Sequence, residues 1–304
     1  MIGKLTGFIA ATHTPFLANG ELNLSVIEKQ AAHLEATGVS GVFICGTTGE
    51  CHSLTLQERM DLAERWSAVR RGTNLKLIVH VGANCLTESR QLAAHAQSLD
   101  VDAIAAISPS YFKPKSLQAL IECSAEVAAA SPALPFYFYD IPSMTGVNFP
   151  MSDYLEKAAV RIPNLAGVKF SNPDLMEYQK CLHLANSKFD MPWGTDEYIL
   201  SALAVGAIGG VGSSYNLAAP IYRRLLSAFQ RVDLKSAQAE QYRSVQIIDL
   251  MIQHGYLAAS KFAMNQLGID LGGVRLPLTN LEETQKRSLQ LSLQTLGFYD
   301  WIAL

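Results

Sequence analysis

The sequence is poor in the features that staple a small secreted protein or anchor a chain in a membrane. Its five cysteines, Cys45, Cys51, Cys85, Cys123 and Cys181, are scattered, odd in number and without Cys-x-x-Cys spacing. That excludes a disulfide framework and reads as reduced thiols in a cytoplasmic protein. No apolar run approaches the roughly 18 residues of a membrane-spanning helix. Met1 to Phe8 holds a single lysine and no long apolar core ahead of a small-residue cleavage site, so no signal peptide is expected. The seven histidines show neither His-Glu-x-x-His nor any other paired spacing, so no metal site is expected. Charge of one sign is also scarce. A net charge of −3 gives no reason to expect a nucleic-acid or other polyanionic partner. Low-complexity tracts and internal repeats are absent.

What is present is apolar residues, 49% of 304, arranged in a strict alternation. Short apolar runs read as strands at Gly7 to Thr12, Val42 to Cys45, Leu75 to Val81, Asp102 to Ile107, Leu134 to Tyr139, Leu165 to Ser171, Phe189 to Trp193 and Ala207 to Val211. Helical spacing follows each of them, at Asn23 to Thr37, Thr55 to Arg71, Thr87 to Leu99, Leu117 to Ala130, Met151 to Val160, Leu175 to Asn186, Glu197 to Val205 and Ala218 to Val232. Thr55 with Glu58 forms a capping box, and Thr87 is the expected cap of the next helix. Eight strand–helix pairs point to an α/β fold, a TIM (β/α)8 barrel. An open doubly wound sheet would alternate too, but no Gly-x-Gly-x-x-Gly follows the first strand. The last residues are helical, with spans at Ser236 to His254 and Leu281 to Leu296. The expected organisation is a catalytic barrel at 1–232 and a C-terminal helical extension at 233–304 packed on it.

In such a barrel chemistry sits at the C-terminal ends of the strands. Those ends are Thr12, Gly46-Thr47-Thr48-Gly49-Glu50, Tyr111, Tyr139, Lys169, Gly194-Thr195-Asp196-Glu197 and Gly212-Ser213-Ser214. They are far apart in sequence, yet all would ring one pocket. Lys169 ends an apolar strand, where an amine is costly unless solvated, paired or neutral. A neutral lysine is a nucleophile suited to a Schiff base with a carbonyl. The alternative is a surface cation reaching past the strand end. The Gly46–Glu50 loop offers two hydroxyls and several N–H groups, which suits a carboxylate. It lacks the layout of a nucleotide-phosphate loop. In Phe136-Tyr137-Phe138-Tyr139 the tyrosines share one face and the phenylalanines the other. Tyr139 could pass a proton, or be an ordinary buried tyrosine. Asp196 and Glu197 could accept from substrate hydroxyls or simply favour a helix start.

Three stretches in this order, Gly46-Thr47-Thr48-Gly49-Glu50, Tyr139-Asp140-Ile141-Pro142-Ser143-Met144-Thr145-Gly146 and Gly167-Val168-Lys169-Phe170-Ser171, resemble the pyruvate-dependent class I aldolase family. That family includes dihydrodipicolinate synthase and N-acetylneuraminate lyase, and the similarity runs from Gly7 to about Leu278. Ala133 to Tyr137 and Gly212 to Asn216 are most similar to the sialic acid lyase branch. The resemblance implies reversible cleavage of N-acetylneuraminate to pyruvate and N-acetylmannosamine, with no cofactor. It implies that Lys169 forms the Schiff base and that Tyr139 moves the proton of the C4 hydroxyl. Thr47 would link Tyr139 to Tyr111, which in this family can come from a neighbouring subunit of a homotetramer. Thr48 and Gly49 would hold the substrate carboxylate. Ser171, Gly194, Asp196, Glu197 and Ser213 complete the implied substrate-binding set. The synthase branch has an arginine where Met144 stands, which argues against an acidic second substrate. Asp140 and Asn172-Pro173 depart from the family pattern, and the Asp140 charge is expected to reach Tyr139 and Lys169. The alternatives are a related aldolase for another 2-keto-3-deoxy sugar acid and a non-catalytic pyruvate or sugar-acid binder.

Overall fold

Each apolar run becomes one stave of a curled parallel sheet. The computed structural model describes residues 4–184 and 188–303. Seven strands, β1 (Gly7–Ala11), β2 (Gly41–Ile44), β3 (Lys76–His80), β4 (Ala103–Ile107), β5 (Phe136–Asp140), β6 (Leu165–Phe170) and β7 (Gly209–Gly212), lie in the order β6-β5-β4-β3-β2-β1-β7. The gap between β6 and β7 is closed by residues 190–194, which overlap the seventh strand expected at Phe189 to Trp193. Here the pairing is reduced to isolated bridges, from Gly167 to Asp190, Phe170 to Trp193 and Trp193 to Gly210. Pro192 has no N–H to give, so a regular ladder is interrupted at its centre. The segment is still well held. Val168 N donates to Asp190 O at 3.1 Å, Gly194 N to Phe170 O at 2.8 Å and Val211 N to Trp193 O at 2.8 Å. The fold is a TIM-like α/β barrel.

Around the staves run α1 (Ile27–Ala36), α2 (Leu56–Arg70), α3 (Leu86–Ser98), α4 (Leu117–Ala129), α5 (Pro142–Thr145), α6 (Met151–Arg161), α7 (Leu175–His183), α8 (Ile199–Ala204) and α9 (Tyr215–Gln230). The capping box of Thr55 and Glu58 is present. Thr87, by contrast, is not a cap: α3 starts a residue earlier, behind Cys85. The helix expected from Glu197 opens as a 3-10 turn, Asp196–Tyr198, before α8. The eighth helix begins at Tyr215 and is broken at Ala218, where Pro220 removes a helical donor. Asn186, the expected end of the α7 span, lies outside the described residues.

Two apolar layers follow from strand alternation. Ile9, Phe43, Ile78, Ala105, Tyr137, Tyr139 and Val211 fill the barrel interior, while Phe136, Phe138, Val168 and Phe170 belong to the outer layer under the helices. Of four further helices, α10 (Leu234–Gln253), α11 (Tyr256–Gln266) and α13 (Phe298–Ile302) lie against α9, and α12 (Glu283–Leu296) packs on those three. Arg224 of α9 ties them in, donating to Glu240 at 2.9 Å and to Trp301 O at 2.7 Å. Gln241 of α10 accepts from Leu200 N at 2.8 Å and donates to Asp196 O at 3.3 Å, so α10 comes over the barrel mouth. Among the described residues no helix is long and apolar enough to cross a membrane.

Candidate active site

A cavity of about 300 Å3 opens at the C-terminal ends of the strands. Thr47, Thr48, Tyr139, Lys169, Ser171, Gly194, Asp196, Glu197 and Ser213 line it. Lys169 reaches it through a bulge. The β5–β6 register shifts between Phe136 and Tyr137, where β6 carries one extra residue, and the phase beyond it turns Lys169 inward. Tyr139 and Lys169 are then paired neighbours. The Lys169 Nζ lies 3.7 Å from the centroid of the Tyr139 ring and 4.1 Å from that of Phe43. Ring faces favour an ammonium but offer no lone pair that accepts strongly. The side chain is 4% exposed. Burial brings the Lys169 pKa down to about 7, against the pull of the Asp196 carboxylate. Near neutrality an appreciable share of this amine is unprotonated and nucleophilic.

The Tyr139 hydroxyl meets Thr47 Oγ1 at 3.2 Å. Burial pushes the phenol up to about 12, with bonds from Thr47 and Ser171 working the other way. At neutral pH Tyr139 is therefore a phenol that can relay a proton but not simply absorb one. Thr47 and Thr48 stand on the loop that leaves β2. Cys45 (φ 57°) and Glu50 (φ 58°) are left-handed at either end of it, an uncommon conformation for residues with side chains. Gly49 does not line the cavity. It is packed at the rear of the loop, where its carbonyl accepts from Thr14 Oγ1 at 2.7 Å and an added Cβ would lie 3.2 Å from Thr12 O.

At the far end Asp196 and Glu197 follow residues 190–194. Asp196 Oδ2 accepts from Ser214 N at 2.9 Å and from Ser214 Oγ at 2.5 Å. It therefore anchors the start of α9 as well as facing the cavity. Burial raises its pKa to about 6, against those two bonds. A Cβ on Gly212 would come within 1.6 Å of Asp196 Oδ1, and one on Gly194 within 1.9 Å of Ser171 Oγ. Glycine at both positions is what lets the wall close. The paired serines divide: Ser213 Oγ donates to Tyr256 at 2.8 Å, while Ser214 is buried in the Asp196 and Tyr222 contacts.

Three further residues singled out in the sequence lie outside this cavity. Asp140 is on the outward face of β5, 3.4 Å from Asn172 Nδ2. Burial raises its pKa to about 7, and the nearby charge is Glu177. The carboxylate acting on Lys169 is that of Asp196, not Asp140. Strand alternation explains this, since Tyr139 faces in and its successor faces out. Met144 on α5 is 63% exposed and Ser143 lines the cavity instead. Tyr111 is 79% exposed, edge-on to Phe112 with ring centroids 5.0 Å apart, and does not reach the cavity of its own chain.

A model of the dihydrodipicolinate synthetase family matches residues 4–296. The chain belongs to this family. Within the dihydrodipicolinate synthetase family it is 40% identical to the N-acetylneuraminate lyase of Rattus norvegicus over 307 aligned residues, covering 99% of this chain and 95% of that one. The structure of Proteus mirabilis N-acetylneuraminate lyase superposes with a TM-score of 0.95 at 41% identity, covering 97% of this chain and 100% of that one. A catalytic lysine mutant of Ruminococcus gnavus sialic acid aldolase gives 0.91 at 28% identity, covering 97% and 96%.

One wall of the cavity is built by residues that the sequence patterns did not single out. Ile248 and Ile252 of α10 and Tyr256 of α11 line the cavity. The isoleucine spacing, i and i+4, was visible as helical periodicity. Nothing local says that this face covers a barrel mouth rather than a helix.

Proposed function

We propose that the chain is a Schiff-base-forming (class I) aldolase that cleaves N-acetylneuraminate reversibly to pyruvate and N-acetylmannosamine. The observation that carries the reading is the buried Lys169 amine with its pKa near 7, beside a phenol and a hydroxyl-bearing loop. Similarity to N-acetylneuraminate lyases over nearly the whole chain supports the substrate. The similarity to a sialic acid aldolase with its catalytic lysine mutated supports a lysine in the central role.

The neutral Lys169 amine attacks the C2 ketone, and loss of water gives an imine whose protonated form is an electron sink. Breaking the C3–C4 bond sends its electron pair toward that sink and leaves an enamine on the lysine. The C4 hydroxyl must lose its proton as the aldehyde forms. Tyr139 accepts it only while giving up its own, to the substrate carboxylate or through Thr47. Protonation of the enamine at C3 and hydrolysis then release pyruvate and free the amine. Thr48 and the amides of its loop hold the carboxylate. Ser171, Gly194, Glu197, Ser213 and the free side of Asp196 meet the sugar hydroxyls. Among the lining residues Lys169 is the one cation, so an acidic second substrate would find no counter-charge. Residues 1–232 form the catalytic barrel, and 233–304 form the extension that closes one wall. The working form is a cytoplasmic homotetramer in which Tyr111 of a neighbouring subunit reaches Thr47.

Pyruvate release from N-acetylneuraminate, with borohydride trapping of pyruvate on Lys169, tests this. Release and trapping are expected in the unaltered protein, and neither in Lys169→Ala. Absence of trapping in the unaltered protein rejects the reading. The second reading, another 2-keto-3-deoxy sugar acid, draws on the commitment of Asp196 Oδ2 to Ser214. A panel of sugar acids scored by pyruvate release separates the two.

A further inference from the structure

The loop bearing Thr47 and Thr48 is gripped from behind by the C-terminal extension. Its last residue, Glu50, is left-handed at φ 58°, and its side chain is buried away from the cavity. Lys261 of α11 forms an ion pair with Glu50 Oε1 at 2.7 Å, and the two side chains are 1% and 0% exposed. Glu50 Oε2 accepts from Arg275 N at 2.9 Å. Lys261 also donates to Gly273 O at 2.6 Å and lies over the Phe16 ring, 4.2 Å from its centroid. Arg275 also reaches the 3-10 turn that follows the loop, Cys51–Ser53, donating to Ser53 O at 2.9 Å.

We propose that Lys261 is a positioning residue for carboxylate recognition, acting through Glu50 on Thr47 and Thr48 without touching substrate. This rests on the reading that the loop holds the substrate carboxylate. A buried carboxylate deprived of its counter-charge is strongly unfavourable. Without Lys261, Glu50 relieves that cost by turning toward water or taking a proton. Either outcome frees the left-handed residue that ends the loop. The hydroxyls and amides two and three residues earlier then lose their fixed direction. Lys169 and Tyr139 stand on β6 and β5, so the amine and the phenol keep their places. Lys261 therefore governs how well a carboxylate is held, not whether an imine forms.

The test is borohydride trapping at Lys169, read as the half-saturating concentration of two ketones. Pyruvate carries the carboxylate and hydroxyacetone lacks it. In Lys261→Met the pyruvate value is expected to rise about tenfold or more, the scale of a misplaced binding group, with the hydroxyacetone value unchanged. Lys261→Arg, which keeps the charge, is expected to recover part of the difference. Equal values for pyruvate in Lys261→Met and the unaltered protein overturn the proposal, and so does a parallel rise for both ketones. Should Lys261→Met fail to fold, Glu50→Gln carries the same test. It keeps the shape and an acceptor for Arg275 N, and a selective rise for pyruvate is again expected. No change, or a parallel rise, overturns the proposal there too. Failure of the unaltered protein to trap pyruvate rejects the aldolase reading and this inference with it. Trapping that is normal in every variant rejects the inference alone.

Discussion

The Lys169 amine titrates near 7 in the folded chain against an ordinary 10.5. The unfolded chain thus binds the extra proton more tightly between those values. By linkage, stability rises with pH through that window, and the cost of holding the amine is largest at and below its lower end. Lys169→Met keeps the length and removes the charge. It is expected to raise the Tm at pH 7 by about 2–5 °C, with the gain shrinking toward pH 10.5, while trapping is lost. Calorimetry across pH checks it, and a fall in Tm at pH 7 would mean the amine is solvated rather than buried. The same titration sets the acid limb of activity. Trapping of pyruvate is expected to rise through about pH 7 as the amine loses its proton. The Asp196 charge holds that value up, so Asp196→Asn should move the limb to lower pH. A limb that stays in place would show that the two groups do not feel each other.

At the scale of elements, the bridged segment 190–194 is the weakest stave and carries Asp196 and Glu197 at its end. Its closeness to β6 depends on Gly167, where a Cβ would lie 1.7 Å from Asp190 O. Backbone cannot yield as a flexible side chain does. Gly167→Ala is expected to cost about 3 kcal/mol in urea unfolding and to weaken sugar-acid turnover more than pyruvate trapping, because the sugar end of the cavity moves and Lys169 does not. Equal losses in both assays would place the strain elsewhere. Most of the elements were legible beforehand. Period-two and period-3.6 patterns gave each strand and its helix, and the capping box at Thr55 gave a boundary. The weak stave was legible as apolar, but Pro192 within it reduced a strand to bridges. Alternation put Tyr139 inside. Carried one residue further, it would have put Asp140 outside, where it is. The bulge in β6 that turns Lys169 inward depends on the partner strand, so β6 alone does not announce it.

Over the whole molecule, the ring of strand ends was readable because a barrel gathers them by topology. The wall built by Ile248, Ile252 and Tyr256 was not, because docking of one helix over another leaves no local spacing. Tyr111 and Phe112 are 79% and 87% exposed on the loop after β4, held there by Asn84, whose Oδ1 accepts from Tyr111 N at 3.0 Å. A neighbouring aromatic pair so exposed is a costly surface unless another copy covers it. The Thr47–Tyr139 contact is in place, and its outer continuation would come from that copy. Tyr111→Phe is then expected to slow turnover with trapping retained. Mixing it with Lys169→Ala provides the sharper test. Each variant alone has every site impaired. A hybrid pair holds one whole site, with Lys169 from the Tyr111→Phe subunit and Tyr111 from the Lys169→Ala subunit. Random exchange of subunits makes about a quarter of all sites whole, so activity should rise toward about that fraction of the unaltered protein after co-refolding. Mixtures no more active than the average of the two variants would mean that Tyr111 serves no neighbouring site.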